Sequence, residues 1–495
     1  MTGGPDPVNV MSDTVAAALR FPRKDIPAIL LLGVAAALLG LRADLRLAAV
    51  MGLPLLLFGA WWILAAPHRW WISFAAASLL LPPLPLEAGN TGPHVAVAIA
   101  AIGVWAGLVR FAEWRFPRYG QSLAAAAILF LSVLLLSVPM AFLYSGWAVA
   151  AGSLLRALLF GLAIYTFFAF AYGPTSRETD ALAPVRNLYY FGIGAALIAC
   201  ADFYLQLSPP AGFSEQYVWL PEGAMRRAQG FFYEAGMLGN LCAFFLVMLA
   251  LAVLRPAVRA RLLSRKALLA GCALFSAALF FSFSRSSLLN VTVSLAAVGI
   301  VHRADLGRYR RRIALTLAAM AAGLLLAAAL FPGYAEVYMS RIWHTVFRGF
   351  IDPQGLLSGR LQTWRELLDF LSAQPEHLLL GIGFKTLPYS HAAGRPLIAD
   401  NMYLSILVET GVAGLLAMLL FSGTILQAGF RAMRSPGASA SFLGAWIFCF
   451  WIGQLFQMLS VDVLTYWRVL PLYFAVLGLA VRESARAPGT AAEES

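Results

Sequence analysis

The sequence predicts an all-α, polytopic transmembrane helix bundle, and three observations predict it. Of the 495 residues, 61% are apolar and only 12% are charged, against roughly 25% charged in a typical soluble domain. Mean hydropathy is +0.77. The apolar residues also come in runs of about 20, the length an α-helix needs to cross the hydrocarbon core. A disordered scaffold, a coiled coil and a disulfide-stapled secreted domain are excluded. A transporter, a channel and a membrane enzyme all remain open.

Fourteen runs qualify as spans: 26–41, 47–66, 70–86, 93–110, 121–143, 147–172, 188–208, 235–254, 267–283, 286–301, 313–331, 401–426, 438–459 and 465–481. Pro54, Pro67, Pro82, Pro83 and Pro85 interrupt the first three, so twelve or thirteen spans are also compatible. The expected organisation is a tail (1–25), N-terminal spans (26–208), a loop (209–234), central spans (235–331), a large loop (332–400), C-terminal spans (401–482) and a tail (483–495). The first 25 residues hold no short apolar run ending in a small-residue cleavage site, so no cleaved signal peptide is expected.

The net charge of +12 suggests nucleic acid until it is mapped. Most Lys and Arg lie in alternate gaps and at the two ends, among them Arg110–Arg118, Arg177–Arg186, Arg255–Lys266, Arg303–Arg312 and Arg431–Arg434. That side is expected to be cytoplasmic, with both termini, and nucleic acid is not an expected partner. Loops 209–234 and 332–400 then face outward, and a long structured loop on one face is where function concentrates. Cys200, Cys242, Cys272 and Cys449 sit in apolar runs without CxxC spacing and read as packing residues.

In the large loop, Ser358 is placed to cap a helix carrying Arg360, Trp364, Leu367, Leu368 and Leu371, which Pro375 ends. The spacing of three and four makes it amphipathic. Tyr334 to Phe350 carries Val337, Ile342, Val346 and Phe347 on a similar stripe. Both helices are expected to lie against the membrane surface or to cap a cavity. No internal repeat appears, which argues against the two-halved architecture common in transporters. Neither a metal-ligand cluster nor an Asp-x-Asp-like motif is visible, so no metal or cofactor is expected.

Arginine on the outer side asks for a reason. Arg226 and Arg227 precede Phe231–Phe232, Arg285 sits between two spans separated by almost nothing, and Arg360 and Arg365 lie on the loop helix. Guanidinium forks match phosphate oxygens and stay charged, so an anionic ligand at the outer boundary supplies the reason. The alternative is interfacial pairing with Glu222, Glu234, Glu366 or lipid headgroups. Arg156 and Arg468 fall inside apolar runs, where an ionisable group is a functional candidate by default; snorkelling to the interface is the alternative, and Arg468 lies near a span end. Asp400–Asn401 stands where the large loop returns to the membrane. Asp400 reads either as a helix N-cap or as a general base toward a hydroxyl, with His344, His377 and His391 as rival bases.

Asp400-Asn401, nine further residues, then Gly411-Val-Ala-Gly414 resembles a motif of the O-antigen ligase and O-antigen polymerase superfamily, in which a His precedes the Asn, Ser or Gln. Ser358-Gly-Arg360-Leu-Gln-Thr-Trp364, Pro375 to Phe384 with Gly381-Ile-Gly383, Phe283-Ser-Arg285-Ser-Ser-Leu-Leu289, and Arg227-Ala-Gln-Gly230-Phe231 running to Glu234 and Gly239-Asn240 are similar to further motifs of that family, in the same order. The resemblance covers residues 225–425. The chain departs from the ligase pattern in carrying Asp400 where ligases carry the His, which favours the polymerase branch.

The resemblance implies a GT-C-like glycosyltransferase of the bacterial inner membrane, its active site facing the periplasm. The donor would be a polyprenyl-diphosphate-linked oligosaccharide, and the acceptor a glycan or glycolipid. Membrane lipids and a chain-length regulator protein are the further partners it allows. Asp400, Arg285 and Arg360 would be catalytic; Arg227, Arg226, Arg365, Asn401, Glu234 and Arg156 would bind diphosphate or glycan. The leading expectation is a polymerase of lipid-linked repeat units. Its alternatives are a ligase acting on lipid A core or a protein, a polysaccharide transporter or flippase, and a non-catalytic scaffold.

Overall fold

The computed structural model describes residues 59–62, 67–84, 93–116, 119–174, 180–209, 213, 216–220, 223–343, 360–392 and 394–486. The expected spans 26–41 and most of 47–66, both tails' outer parts, Glu222, His344 and Ser358 lie outside these residues. Helices dominate: α1 Pro67–Leu80, α2 Val95–Val109, α3 Gln121–Leu136, α4 Val138–Tyr172 and α5 Ala183–Leu205. They are followed by α6 Ala235–Leu254, α7 Arg265–Ser282, α8 Arg285–Val301, α9 Arg310–Leu330 and α10 Pro332–Trp343. The last are α11 Arg360–Ala373, α12 Met402–Met433, α13 Ala438–Gln457 and α14 Leu470–Ala485. Among the described residues, seven helices (α4, α5, α6, α7, α9, α12 and α13) are long and apolar enough to cross a membrane, and α2, α3 and α8 are apolar but shorter. One antiparallel hairpin, β1 Tyr217–Leu220 with β2 Gly223–Arg226, was not anticipated from the sequence.

The bundle is organised around α6. Its membrane-length window is 94% buried, whereas that of α9 is only 17% buried. Apart from Asn240, helix α6 is apolar all round, as suits a helix enclosed by others, and α5, α7, α8 and α13 pack on it. Helix α9 lies outside, against α7, with Leu325 and Leu326 turned outward. Such a surface is stable only in lipid.

A cluster of polar side chains inside the bundle is linked across helices, because an orphaned amide in hydrocarbon is costly. Asn240 of α6 and Asn290 of α8 each donate to Gln454 and Gln457 of α13, over 2.7–2.9 Å. Tyr473 of α14 donates to Asn240 Oδ1 at 2.6 Å, and Gln457 Nε2 donates to Ser287 Oγ at 3.2 Å. These contacts fix the rotation of four helices about one point.

The starts of α6, α8 and α12 meet at one end of the bundle. Ser287 Oγ donates to the Gly236 carbonyl at 3.3 Å, and the Met402 amide donates to the Met458 carbonyl at 2.8 Å. The opposite end carries Arg255, which donates to Ser441 Oγ at 2.7 Å, and the Arg261–Asp180 pair at 2.9 Å.

Candidate active site

Residues 226–234 cross the end of the bundle between the hairpin and α6. The buried Arg226 guanidinium donates to buried Asp202 of α5, whose Oδ2 also accepts the Gly230 amide at 3.0 Å. The Ala228 amide donates to the Phe281 carbonyl at 3.0 Å. Arg468, only 2% exposed, donates to the carbonyls of Ser78, Leu81 and Phe231 and lies over the Phe232 ring. Arg226 is thus paired with Asp202 and holds the segment in place. One expectation is corrected here: Arg468 does not snorkel, since the carbonyls of neighbouring segments solvate it internally.

This framework presents the next residues. Arg227 Nε donates to the Ser282 carbonyl at 2.8 Å, at the end of α7. Glu234 occupies the N-cap position of α6 in extended backbone, without a side-chain capping bond. Its carboxyl and the Tyr466 hydroxyl face each other over Gly236: a β-carbon there would sit 3.6 Å from Glu234 Oε1 and 2.7 Å from the hydroxyl. Burial raises the Glu234 carboxyl above the ordinary range and neighbouring Asp400 adds to the rise, while Tyr466 and Arg227 oppose it. Burial also drives the Tyr466 phenol well up, and the Glu234 charge adds to this.

Arg360 and Asp400 are joined. Arg360 Nε donates to Asp400 Oδ2 at 3.1 Å, and Trp364 Nε1 donates to the Ala399 carbonyl at 2.7 Å. Helix α11 buries Leu367, Phe370 and Leu371 in a core shared with Leu404 and Val408 of α12. The amphipathic helix therefore packs its apolar face on the start of α12, and Leu368 points outward. The N-cap of α12 is Asn401, whose side chain accepts the Leu404 amide at 3.1 Å. That corrects the capping reading of Asp400, which precedes the cap in left-handed backbone at φ 46°. Asn401, 9% exposed, spends its side-chain oxygen on the cap.

Arg285 heads α8 directly after Ser284, whose side chain caps that helix by accepting the Ser287 amide. Because Ser287 also reaches the Gly236 carbonyl, Arg285 belongs to the same end of the bundle as Glu234. Arg365 does not join the group. It is exposed on α11, beside the Glu366–Arg395 pair at 2.7 Å.

Arg156 belongs to a second charged group. It projects from α4, donates to the Lys385 carbonyl at 3.4 Å and lies 4.6 Å over the Tyr389 ring. Lys385 pairs with Asp462. Burial pulls its ammonium below the ordinary lysine range and Glu409 opposes this. Tyr233, next to Glu234, senses Tyr389, Glu234 and Arg156 and so stands between the two groups.

The glycine motifs explain the loop that carries Lys385. Helix α12 breaks at Gly411, φ 70°. The carbonyls of Val408 and Glu409 then accept the amides of Ile382, at 3.2 Å, and Gly383, at 2.8 Å. A β-carbon on Gly381 would lie 2.3 Å from Glu409 backbone, and one on Gly411 would lie 2.2 Å from the Leu379 carbonyl. Only glycine allows that approach in left-handed backbone. Helix α4 breaks likewise at Gly146, φ 81°, where Ser145 donates to Ser390 at 2.7 Å.

Lys385, Asp462 and Tyr466 carry no motif, and sequence reasoning missed them as parts of the site. Asp462 and Tyr466 lie in the short gap before α14, and only the packing of α13 against α12 and α14 brings that gap to the site.

No curated protein matches the chain. Residues 270–419 match the family model for O-antigen ligase. The matched segment contains Arg285, Arg360, Asp400 and Asn401, while Arg227 and Glu234 lie before it. Over that segment the chain is similar to the O-antigen ligase and polymerase superfamily, whose members are of membrane glycosyltransferase type and act on lipid-linked glycans.

Proposed function

We propose that the protein polymerises lipid-diphosphate-linked oligosaccharide units at the periplasmic leaflet of a bacterial inner membrane. The observation that carries this reading is the meeting of Arg227, Glu234, Arg360 and Asp400 at the bundle end opposite the Arg255–Arg261 region. The alternation of basic gaps supports the orientation.

In this reading Arg285, Arg360 and Arg227 hold the donor diphosphate. The acceptor hydroxyl attacks the anomeric carbon as the bond from that carbon to the phosphate oxygen breaks. The electron pair leaves with the diphosphate, whose growing charge the guanidinium groups stabilise. A carboxyl group of the same cluster receives the hydroxyl proton. Asp400 sets the direction of the Arg360 fork, and Arg156 lines the approach for the saccharide through Tyr389.

Polymerase is preferred to ligase because Asp400 replaces the ligase histidine. Deleting the gene and analysing the glycan tests this. Loss of long chains, with single units still reaching the acceptor, supports a polymerase. Long lipid-linked chains that never reach an acceptor overturn it in favour of a ligase. Turnover of a lipid-diphosphate oligosaccharide by purified protein without a gradient separates either enzyme from a transporter.

A further inference from the structure

We infer that Glu234, and not Asp400, is the group that takes the proton from the acceptor hydroxyl, and that Asp400 is a positioning residue for Arg360. This rests on the glycosyl-transfer reading above.

The two carboxyl groups differ in what they already do. Asp400 lends Oδ2 to Arg360 Nε at 3.1 Å, and its side chain is 43% exposed. Its side chain is therefore already engaged in aiming that guanidinium. Glu234 instead faces the Tyr466 hydroxyl across Gly236, beside Arg227, whose Nε donates to the Ser282 carbonyl. It sits at the head of α6, the most enclosed of the seven membrane-length helices, on a segment locked by the Arg226–Asp202 pair and by Arg468 at the Phe231 carbonyl. A base needs this fixed placement.

The groups facing Glu234 suit the task. Tyr466 approaches from the gap before α14, Arg227 from the segment after β2, Asp400 from the start of α12 and Tyr233 from the adjacent position. Burial makes the carboxylate more basic than usual, whereas Tyr466 and Arg227 keep the ionised form attainable. A base whose proton affinity is raised toward the working pH is more effective than an ordinary carboxylate. In the step, the acceptor O–H proton passes to Glu234 as its oxygen bonds to the anomeric carbon, and the bond to the diphosphate breaks with its electron pair. The proton then leaves Glu234 for water or for the released diphosphate.

The test uses the full chain in nanodiscs. It follows transfer from a polyprenyl-diphosphate oligosaccharide against pH, with binding of undecaprenyl diphosphate measured separately. Glu234→Gln is expected to lower kcat by at least ~100-fold while binding stays within about 2-fold. Glu234→Asp should retain part of the rate with the acidic limb of the profile moved. Asp400→Asn should weaken binding of the lipid diphosphate and leave that limb in place. If Glu234→Gln turns over at the wild-type rate while Arg285→Ala and Arg360→Ala are inactive, the base assignment is wrong and the glycosyl-transfer reading stands. If both arginine variants keep wild-type turnover and binding, that reading fails, and the inference with it. If Glu234→Gln loses binding and turnover together, Glu234 holds the donor and is not the base. Should Glu234→Gln fail to accumulate, an unmoved acidic limb in Glu234→Asp overturns the assignment.

Discussion

Arg360 Nε and Asp400 Oδ2 lie 3.1 Å apart, joining the first turn of α11 to the residue before α12. The bond is reinforced by Trp364, which donates to the neighbouring Ala399 carbonyl. The loop helix and the membrane helix thus aim one guanidinium together. Arg360→Ala and Asp400→Asn should therefore be non-additive: the double variant should lose no more donor affinity than Arg360→Ala alone. Binding of a lipid diphosphate to the four members of a double-mutant cycle measures this, and strict additivity would show that the pair acts separately.

Arg285 should not tolerate replacement by lysine. A guanidinium fork meets two phosphate oxygens at once, and an ammonium is a point charge. Arg285→Lys is expected to lose most of the activity, and Arg285→Ala at least as much, with the thermal midpoint in detergent unchanged. Full activity in Arg285→Lys would mean that charge alone suffices.

The Arg226–Asp202 pair should matter for stability. Both side chains are nearly inaccessible, and removing one partner of a buried pair costs about 3–5 kcal/mol because the other is stranded. Asp202→Ala should lower the thermal midpoint sharply. By contrast, Arg365→Ala, on an exposed side chain, should leave both stability and donor binding close to wild type.

Glu234 makes opposite predictions for activity and for stability. Its carboxyl is raised in the folded state, chiefly by burial, so the protonated form is the one folding favours. That stabilisation is full below the ordinary glutamate range and is lost as pH rises through the raised value. Glu234→Gln should then be more heat-stable than wild type at neutral pH, and the gap should close as the medium is acidified. The wild-type transfer rate should fall over that same interval. Thermal melts and initial rates on one pH series check both signs, and a variant less stable than wild type at neutral pH contradicts the argument.

The break in α12 should be intolerant of side chains. Gly411→Ala places a methyl group 2.2 Å from the Leu379 carbonyl at a left-handed residue. The loop carrying Lys385 must then detach from the Val408 and Glu409 carbonyls. Loss of activity with retained membrane insertion is the expected outcome, read by transfer assay on purified protein.

How much of this was legible in the sequence depends on whether a feature is local. The apolar run 235–254 coincides with α6, because hydrophobic length alone selects a spanning helix. The break before α12 was also readable, since a polar pair interrupts the apolar pattern there. The cap was not: Asp400 and Asn401 are both capping residue types, and a one-residue shift in backbone angle decided between them. Arg226 and Arg227 look equivalent in sequence. Asp202, on α5, captures one and leaves the other at the site.

Composition and the spacing of apolar runs were enough to determine that this protein is a membrane helix bundle with arginines gathered in its loops, because burial of apolar surface acts residue by residue along the chain. Only the tertiary structure decided which charges neutralise each other and which stay available. Asp202, Asp462 and Tyr466 reach their partners through helix packing, and electrostatic interaction depends on distance in space, which no spacing along the chain encodes.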